Sequence, residues 1–236
     1  MLITADQERR ARLHAALGEP VRLAIVDRLA VGDASPGQLG ASLSLASNLL
    51  AHHLGVLDDA GVIRRVRSEG DRRRSYVQLR LDDSAVTDLV RPGAAVAHQA
   101  VGDPARVVFV CTHNSARSQL AAAAWRRVNR ATPATSAGTH PAARVHTRAI
   151  EVGRRHGLRL GNARTSRLDE VHLPGDLLVA VCDNAHEQLP AGADLPRLHW
   201  SVPDPVRVDT DDAFETAYAD LTRRVECLVA AVCAPT

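Results

Sequence analysis

Cys111 is followed six residues later by an arginine and then a serine, in the run Cys111-Thr112-His113-Asn114-Ser115-Ala116-Arg117-Ser118. Ahead of it, Arg106-Val107-Val108-Phe109-Val110 is short, apolar and rich in β-branched residues, which reads as a buried parallel strand. Behind it, Gln119–Asn129 carries a helical pattern. A strand, a compact loop and a helix N-terminus together gather backbone N–H groups into a nest for a tetrahedral anion. The cysteine at the strand end points its sulfur into that nest, where the positive field favours thiolate over thiol. Arg117 closes the ring and its planar fork can clamp two anion oxygens. Ser118 sits where its hydroxyl can donate to the thiolate, and Asn114 where it can bridge the loop's backbone. Thr112, His113, Asn114, Ser115 and Ala116 are the expected oxyanion-binding loop.

A nucleophile that takes an oxyanion needs a proton donor for the departing oxygen. Leu198-His199-Trp200-Ser201-Val202-Pro203-Asp204-Pro205 follows roughly ninety residues downstream, beyond a second strand candidate, Asp176–Cys182. Asp204, on a proline-stiffened loop, suits that role.

These residues need a scaffold. A chain of 236 residues is comfortable for two domains, and 45% apolar content fills two cores. Only six residues are aromatic, which argues against an aromatic-lined cleft for a flat organic ligand. All 29 basic residues are Arg, a bias of the kind expected of a GC-rich bacterial genome, and the formal net charge of +2 says little about partners. No stretch is long or apolar enough to span a membrane and the first thirty residues are charged throughout, so neither a signal peptide nor an anchor is expected and the chain reads as cytoplasmic. In a reducing compartment its four Cys read as free, catalytic or redox-active thiols rather than a disulfide framework. Arg91-Pro92-Gly93 and Gly102-Asp103-Pro104 mark a linker over 92–105, dividing residues 1–91 from 106–236. Within it Ala94–Val101 reads as a linker helix or a dimer-packing helix.

In the first half, Glu8–Leu17, Val21–Ala30, Gly37–Ser42 and Ser47–Ala60 read as helices, with Ser35-Pro36 as a cap and first-turn proline. Val62–Arg67 and Ser75–Arg80 read as strands of a hairpin closed by Ser68-Glu69-Gly70-Asp71. Over residues 8–90, Leu13–Leu29, Leu45–Leu57 and Ala60-Gly61-Val62-Ile63 before the arginine-rich hairpin resemble the ArsR family of bacterial repressors. The resemblance implies a mainly α winged helix-turn-helix with a β-hairpin wing, acting as a homodimer on operator DNA. It implies base-edge contacts from Ser47, Asn48, Ala51 and His52, and phosphate contacts from Arg64, Arg65, Arg67, Arg72, Arg73 and Arg74. Metal-sensing members use Cys pairs ahead of the recognition helix or Asp/His sets on the last helix. Residues 33–43 hold no Cys, and Asp82, Asp83, Asp88 and His98 are unsuitably spaced, so no metal site is expected.

Over residues 106–233, Val108–Gln119, Ser136-Ala137-Gly138-Thr139, Leu178–Cys182, His199-Trp200 and Asp204-Pro205 resemble the low-molecular-weight tyrosine phosphatase superfamily and, within it, the arsenate reductases. The resemblance implies an α/β fold with a four-stranded parallel sheet and helices on both faces, with Cys111 as nucleophile, Arg117 as anion clamp and Asp204 as acid. Tyrosine phosphatases of this kind follow Asp-Pro with ring-stacking aromatics, whereas Asp204-Pro205 leads into Val206-Arg207-Val208; arsenate, with phosphate as analogue, is the favoured ligand. Thioredoxin-coupled members add two Cys seven apart. Cys182 matches the first and Leu189 stands at the second, so Cys182 is either the resolving thiol or a small buried residue at a strand end. The expected reductant is an external thiol, a mycothiol/mycoredoxin or thioredoxin system, with no bound cofactor. Cys227 and Cys233 on the last helix read as core or surface thiols, with arsenite capture as the other reading.

The function expected is therefore an arsenic-resistance repressor fused to an arsenate reductase. The alternatives are a non-catalytic oxyanion or arsenite sensor, and a tyrosine phosphatase tethered to DNA.

Overall fold

Helix starts in the N-terminal half are written in the residues before them. Thr4 and Ser35 form capping boxes with Gln7 and Gln38, each side chain satisfying the other's backbone N–H. Pro20 and Pro36 occupy first-turn positions where no N–H donor is needed. The computed structural model describes residues 3–90, 101–190 and 197–232. It gives α1 (Ala5–Leu17), α2 (Pro20–Val31), α3 (Pro36–Leu43), α4 (Ser47–Asp59), the antiparallel pair β1 (Ile63–Arg67) and β2 (Ser75–Leu79), and α5 (Ser84–Leu89). Leu13, Ile25, Leu29, Leu39, Leu54, Leu57, Ile63 and Leu79 make their common core. A short bridge from Ala34 to Val77 ties the hairpin to the stretch between α2 and α3.

The C-terminal half is an α/β sheet of four parallel strands in the order β4-β3-β5-β6. These are β3 (Arg106–Cys111), β4 (Ala134–Gly138), β5 (Asp176–Ala180) and β6 (Arg197–His199). Val107 to Val110 are wholly buried, as a central parallel strand covered on both faces requires. α6 (Arg117–Val128) follows β3, then α7 (Thr147–Arg155), α8 (Leu168–Val171), α9 (Asp183–Gln188), α10 (Pro205–Val208) and the long α11 (Asp211–Val232). The small side chains of Ala121 to Ala124 let α6 approach the sheet and α11 closely, with Leu221, Val225 and Leu228 packed into the same core. Among the described residues no helix is long and apolar enough to cross a membrane.

The expected elements recur with shifted ends. α6 begins two residues before the expected Gln119, and β5 stops at Ala180 because Cys182 turns out of the strand to cap α9. Ala94–Ala100, His98 and Cys233 lie outside the described residues.

The two halves are joined by buried polar contacts. The Trp200 indole donates to Val31 O at 3.0 Å, and Asp33 N–H donates to His199 O at 2.7 Å. The Asp33 carboxylate accepts from Ser201 N–H (2.6 Å), Gln78 Nε2 (2.8 Å) and Arg224 Nη1 (2.9 Å). Burial works against the Arg224 charge, but Asp33 and Asp220 more than offset it and hold its titration above the ordinary arginine range. Val31 packs into the C-terminal core and Cys227 against the N-terminal one.

Candidate active site

The loop from Cys111 to Arg117 is held by its own residues. Asn114 adopts a left-handed conformation (φ 49°), which Asn tolerates better than most side chains. Its amide oxygen accepts from Ser166 N–H at 2.9 Å and from Gln119 Nε2 at 3.1 Å. Backbone N–H groups of Thr139, His140, Ala142 and His146 bond the carbonyls of Cys111, Thr112, His113 and Ser115, so loop oxygens face outward from the nest. A Cβ on Gly138 would lie 2.8 Å from Thr112 O, which explains the glycine beside the loop.

Two donors converge on sulfur. Asn114 N–H reaches Cys111 Sγ at 3.2 Å, and Ser118 Oγ lies 3.1 Å from it. Asn114 Nδ2 donates to Ser118 Oγ at 2.9 Å, which leaves the serine's own proton to point at the sulfur. Ala116 gives α6 no side-chain cap, so the first N–H groups of that helix are left for a ligand.

Arg117 lies at the start of α6, almost fully buried. Its Nη2 is 3.1 Å from Asp204 Oδ2 and its Nη1 donates to Val202 O at 3.0 Å. Burial opposes its charge, yet Cys182, Cys111, Asp204 and Glu69 around it raise its titration. Asp204 caps α10 through Val206 N–H at 3.2 Å. The structure thus brings Cys111, Ser118, Asn114, Arg117 and Asp204 together around one point, with Thr112, Ser115 and Ala116 in the loop wall and His113 exposed.

Cys182 stands behind this point. Its Sγ is 3.6 Å from Thr112 Oγ1 and accepts from Ala185 N–H at 3.4 Å, capping α9. Burial pushes its thiol up, against the opposing pull of the Arg117 charge. Cys227 is also raised by burial. Among the described residues no group of three or more His, Cys, Asp or Glu is arranged to hold a metal ion.

One group at this site was invisible to sequence reasoning. Glu69, at the tip of the β1–β2 hairpin, places Oε2 3.5 Å from Arg117 Nη1, and its Oε1 accepts from Asp204 N–H at 3.3 Å. Around it, Glu69 N–H donates to Asp183 Oδ2 (2.8 Å), Ser68 Oγ to Glu187 Oε1 (2.7 Å) and Asp71 N–H to Glu187 Oε2 (2.9 Å). Buried His199 pairs with Asp183 at 2.9 Å and stacks on His186. Across the contact between the halves the His199 ring meets Tyr76 and the Trp200 indole bonds Val31 O.

The DNA-assigned residues lie apart. Ser47, Asn48, Ala51 and His52 form an exposed face of α4, and Arg65, Arg67, Arg72, Arg73 and Arg74 are exposed on the hairpin. Arg64 is half-buried, bonded to Gln78 at 3.1 Å and Asp82 at 3.3 Å, and Arg73 forms a bidentate pair with Asp71.

Residues 106–235 match the family described as low molecular weight phosphotyrosine protein phosphatase. Arsenate reductase 2 of Staphylococcus epidermidis is 29% identical over 105 residues, 44% of this chain and 80% of that protein. The structure of arsenate reductase from Archaeoglobus fulgidus DSM 4304 is 31% identical, covering 52% of this chain and 98% of that one, with a TM-score of 0.47. The tyrosine phosphatase Wzb from Escherichia coli K30, in complex with sulphate, is 24% identical over 52% of this chain and 94% of that one, with a TM-score of 0.46.

Proposed function

The chain belongs to the low molecular weight phosphotyrosine protein phosphatase family, and from that premise we propose that its C-terminal half, residues 106–236, reduces arsenate. The observation that carries the reading is the doubly hydrogen-bonded Cys111 sulfur facing the α6 N-terminus, with Arg117 and Asp204 at its side. Cys111 thiolate attacks arsenic, forming an S–As(V) bond while one oxygen leaves as water on a proton from Asp204. A second thiolate then attacks the Cys111 sulfur. The new disulfide forms, the S–As electron pair stays on arsenic, and arsenite departs as As(III). The external thiol reductant, a mycothiol/mycoredoxin or thioredoxin system, returns the disulfide to thiols. Cys182 is the candidate for the second thiol within the chain, and to act it must leave its cap on α9. Val206-Arg207-Val208 after Asp204-Pro205 offers no aromatic wall for a phosphotyrosine ring, which favours a bare inorganic oxyanion.

For residues 1–91 we propose DNA binding as a homodimer. The order α3, turn, α4, hairpin and the exposed polar face of α4 support this, with the hairpin arginines on phosphates. The test is arsenite release from arsenate by the purified full chain, with each thiol system supplied separately and Cys111→Ser as control. Release that needs Cys111 is the expected result; release by Cys111→Ser at the parent rate, or none from the parent with any thiol, overturns the reading.

A further inference from the structure

The hairpin tip Ser68–Asp71 meets the second half through donors and charges that its own fold does not require. Ser68 Oγ organises the turn by accepting from Gly70 and Asp71 N–H at 2.9 and 3.1 Å. The outward groups are satisfied across the interface: Glu69 N–H and Asp71 N–H by the Asp183 and Glu187 carboxylates of α9, and the Ser68 proton by Glu187. Gly70 is pressed against the same helix, since a Cβ there would lie 2.5 Å from Glu187 Oε2 and 2.9 Å from Asn184 Oδ1. Tyr76 Oη adds a bond to Glu187 at 2.9 Å. This clasp delivers one free carboxylate, Glu69, to Arg117 and to the backbone N–H of Asp204.

Resting on the reading of the Cys111 loop as an oxyanion pocket, we propose that Glu69 is a tethered occupant of that pocket, so that an inorganic oxyanion binds by expelling the hairpin tip. Arg117 already faces two carboxylates, Asp204 and Glu69, with its remaining Nη1 bond on Val202 O. An incoming dianion sets its charge beside the Glu69 carboxylate at one guanidinium, and like charges at such separations repel strongly in a desolvated site. Asp204 is fixed by the chain that carries the acid; Glu69 reaches in from another element and is the one free to leave. Its carboxylate resembles the ligand in charge and already sets one oxygen 3.5 Å from the guanidinium. The tip carries Arg72, Arg73 and Arg74, so pocket occupancy is communicated to the arginines of the hairpin. The two halves are thereby coupled through a single competition for Arg117.

The experiment is calorimetric titration of the full chain with inorganic phosphate, for the parent, Glu69→Gln and Gly70→Ala, together with amide exchange at residues 69 and 71. Phosphate is used because it occupies the pocket without being reduced and without DNA present. Glu69→Gln should bind phosphate about tenfold tighter, as expected if the tip is docked roughly 90% of the time. Gly70→Ala, which wedges the tip off Glu187, should tighten binding by about threefold. In the parent, saturating phosphate should speed exchange of both amides. Equal affinity in the parent and Glu69→Gln, or protection unchanged at saturation, overturns the proposal and leaves the pocket reading standing. Absence of phosphate binding in every protein overturns both.

Discussion

The loops Cys111–Arg117 and Ser68–Asp71 meet at one guanidinium and satisfy their backbones in opposite ways. In the first, Asn114, Ser118 and Gln119 lie within a few residues of the carbonyls and donors they serve, and the outlying partners belong to the same half. In the second, Ser68 and Asp71 also make local bonds, but the Glu69 and Asp71 amides are met by side chains 114 and 116 residues away. A loop built the first way is preorganised and keeps its shape when a ligand comes and goes. A loop built the second way holds its place only while its partner does, and so can be exchanged for something else.

The comparison breaks first at the sulfur. Cys111→Ser should lower arsenite release about 10³-fold or more while thermal melting stays unchanged; retained turnover would remove the nucleophile from the first loop. Next in size is the joint between the halves. Asp33→Ala leaves the buried Arg224 with Asp220 alone and takes the acceptor from Ser201 N–H and Gln78 Nε2, and should destabilise the chain by about 3–5 kcal/mol in urea unfolding. Asn114→Ala frees Ser118 and strains the left-handed corner together, and a loss near 10²-fold in turnover is expected with a destabilisation of about 1–3 kcal/mol, sharpening the claim that this loop is self-supporting.

A smaller effect is read in acid. Burial first, then the charges of His199 and Arg197, lower His186 to about 3. Unfolded histidine takes its proton near 6.5, so between about 6.5 and 3 the unfolded chain holds the extra proton and stability falls as pH falls. The slope is at most about 1.4 kcal/mol per pH unit, and His186→Gln should flatten it in urea midpoints compared at pH 7 and pH 5. The smallest effect concerns the exposed side of the hairpin. Arg73→Ala should reduce the slope of log affinity against log salt by about one for DNA; an unchanged slope would mean the hairpin arginines do not touch phosphate.

What could be read beforehand follows the same division. Cys111, Asn114, Arg117 and Ser118 are close in sequence, and strand, loop and helix in succession set their places, so spacing alone brings them to one point. Asp204 is distant, but a proline-stiffened acid after a strand is a recognisable companion. The capping residues Ser35 and Pro36 likewise marked α3 to within a residue at each end. Glu69 carries no such signal, because its role depends on how the hairpin tip lies against α9. The same holds for Asp33 and Arg224, two ordinary charges in sequence that become one buried pair 191 residues apart. Cys182 was ambiguous for a different reason: a thiol capping a helix and a thiol waiting to attack occupy the same place.

The Asp33–Arg224 pair also bears on whether the two halves can be separated. Two proteins made as separate pieces, one ending at Val90 and the other beginning at Val101, would each expose a charge that the intact chain encloses, along with the Trp200 and Val31 faces. Co-expressed fragments should reassociate through this surface rather than behave as independent modules. At this seam each half supplies a side chain to the other's core.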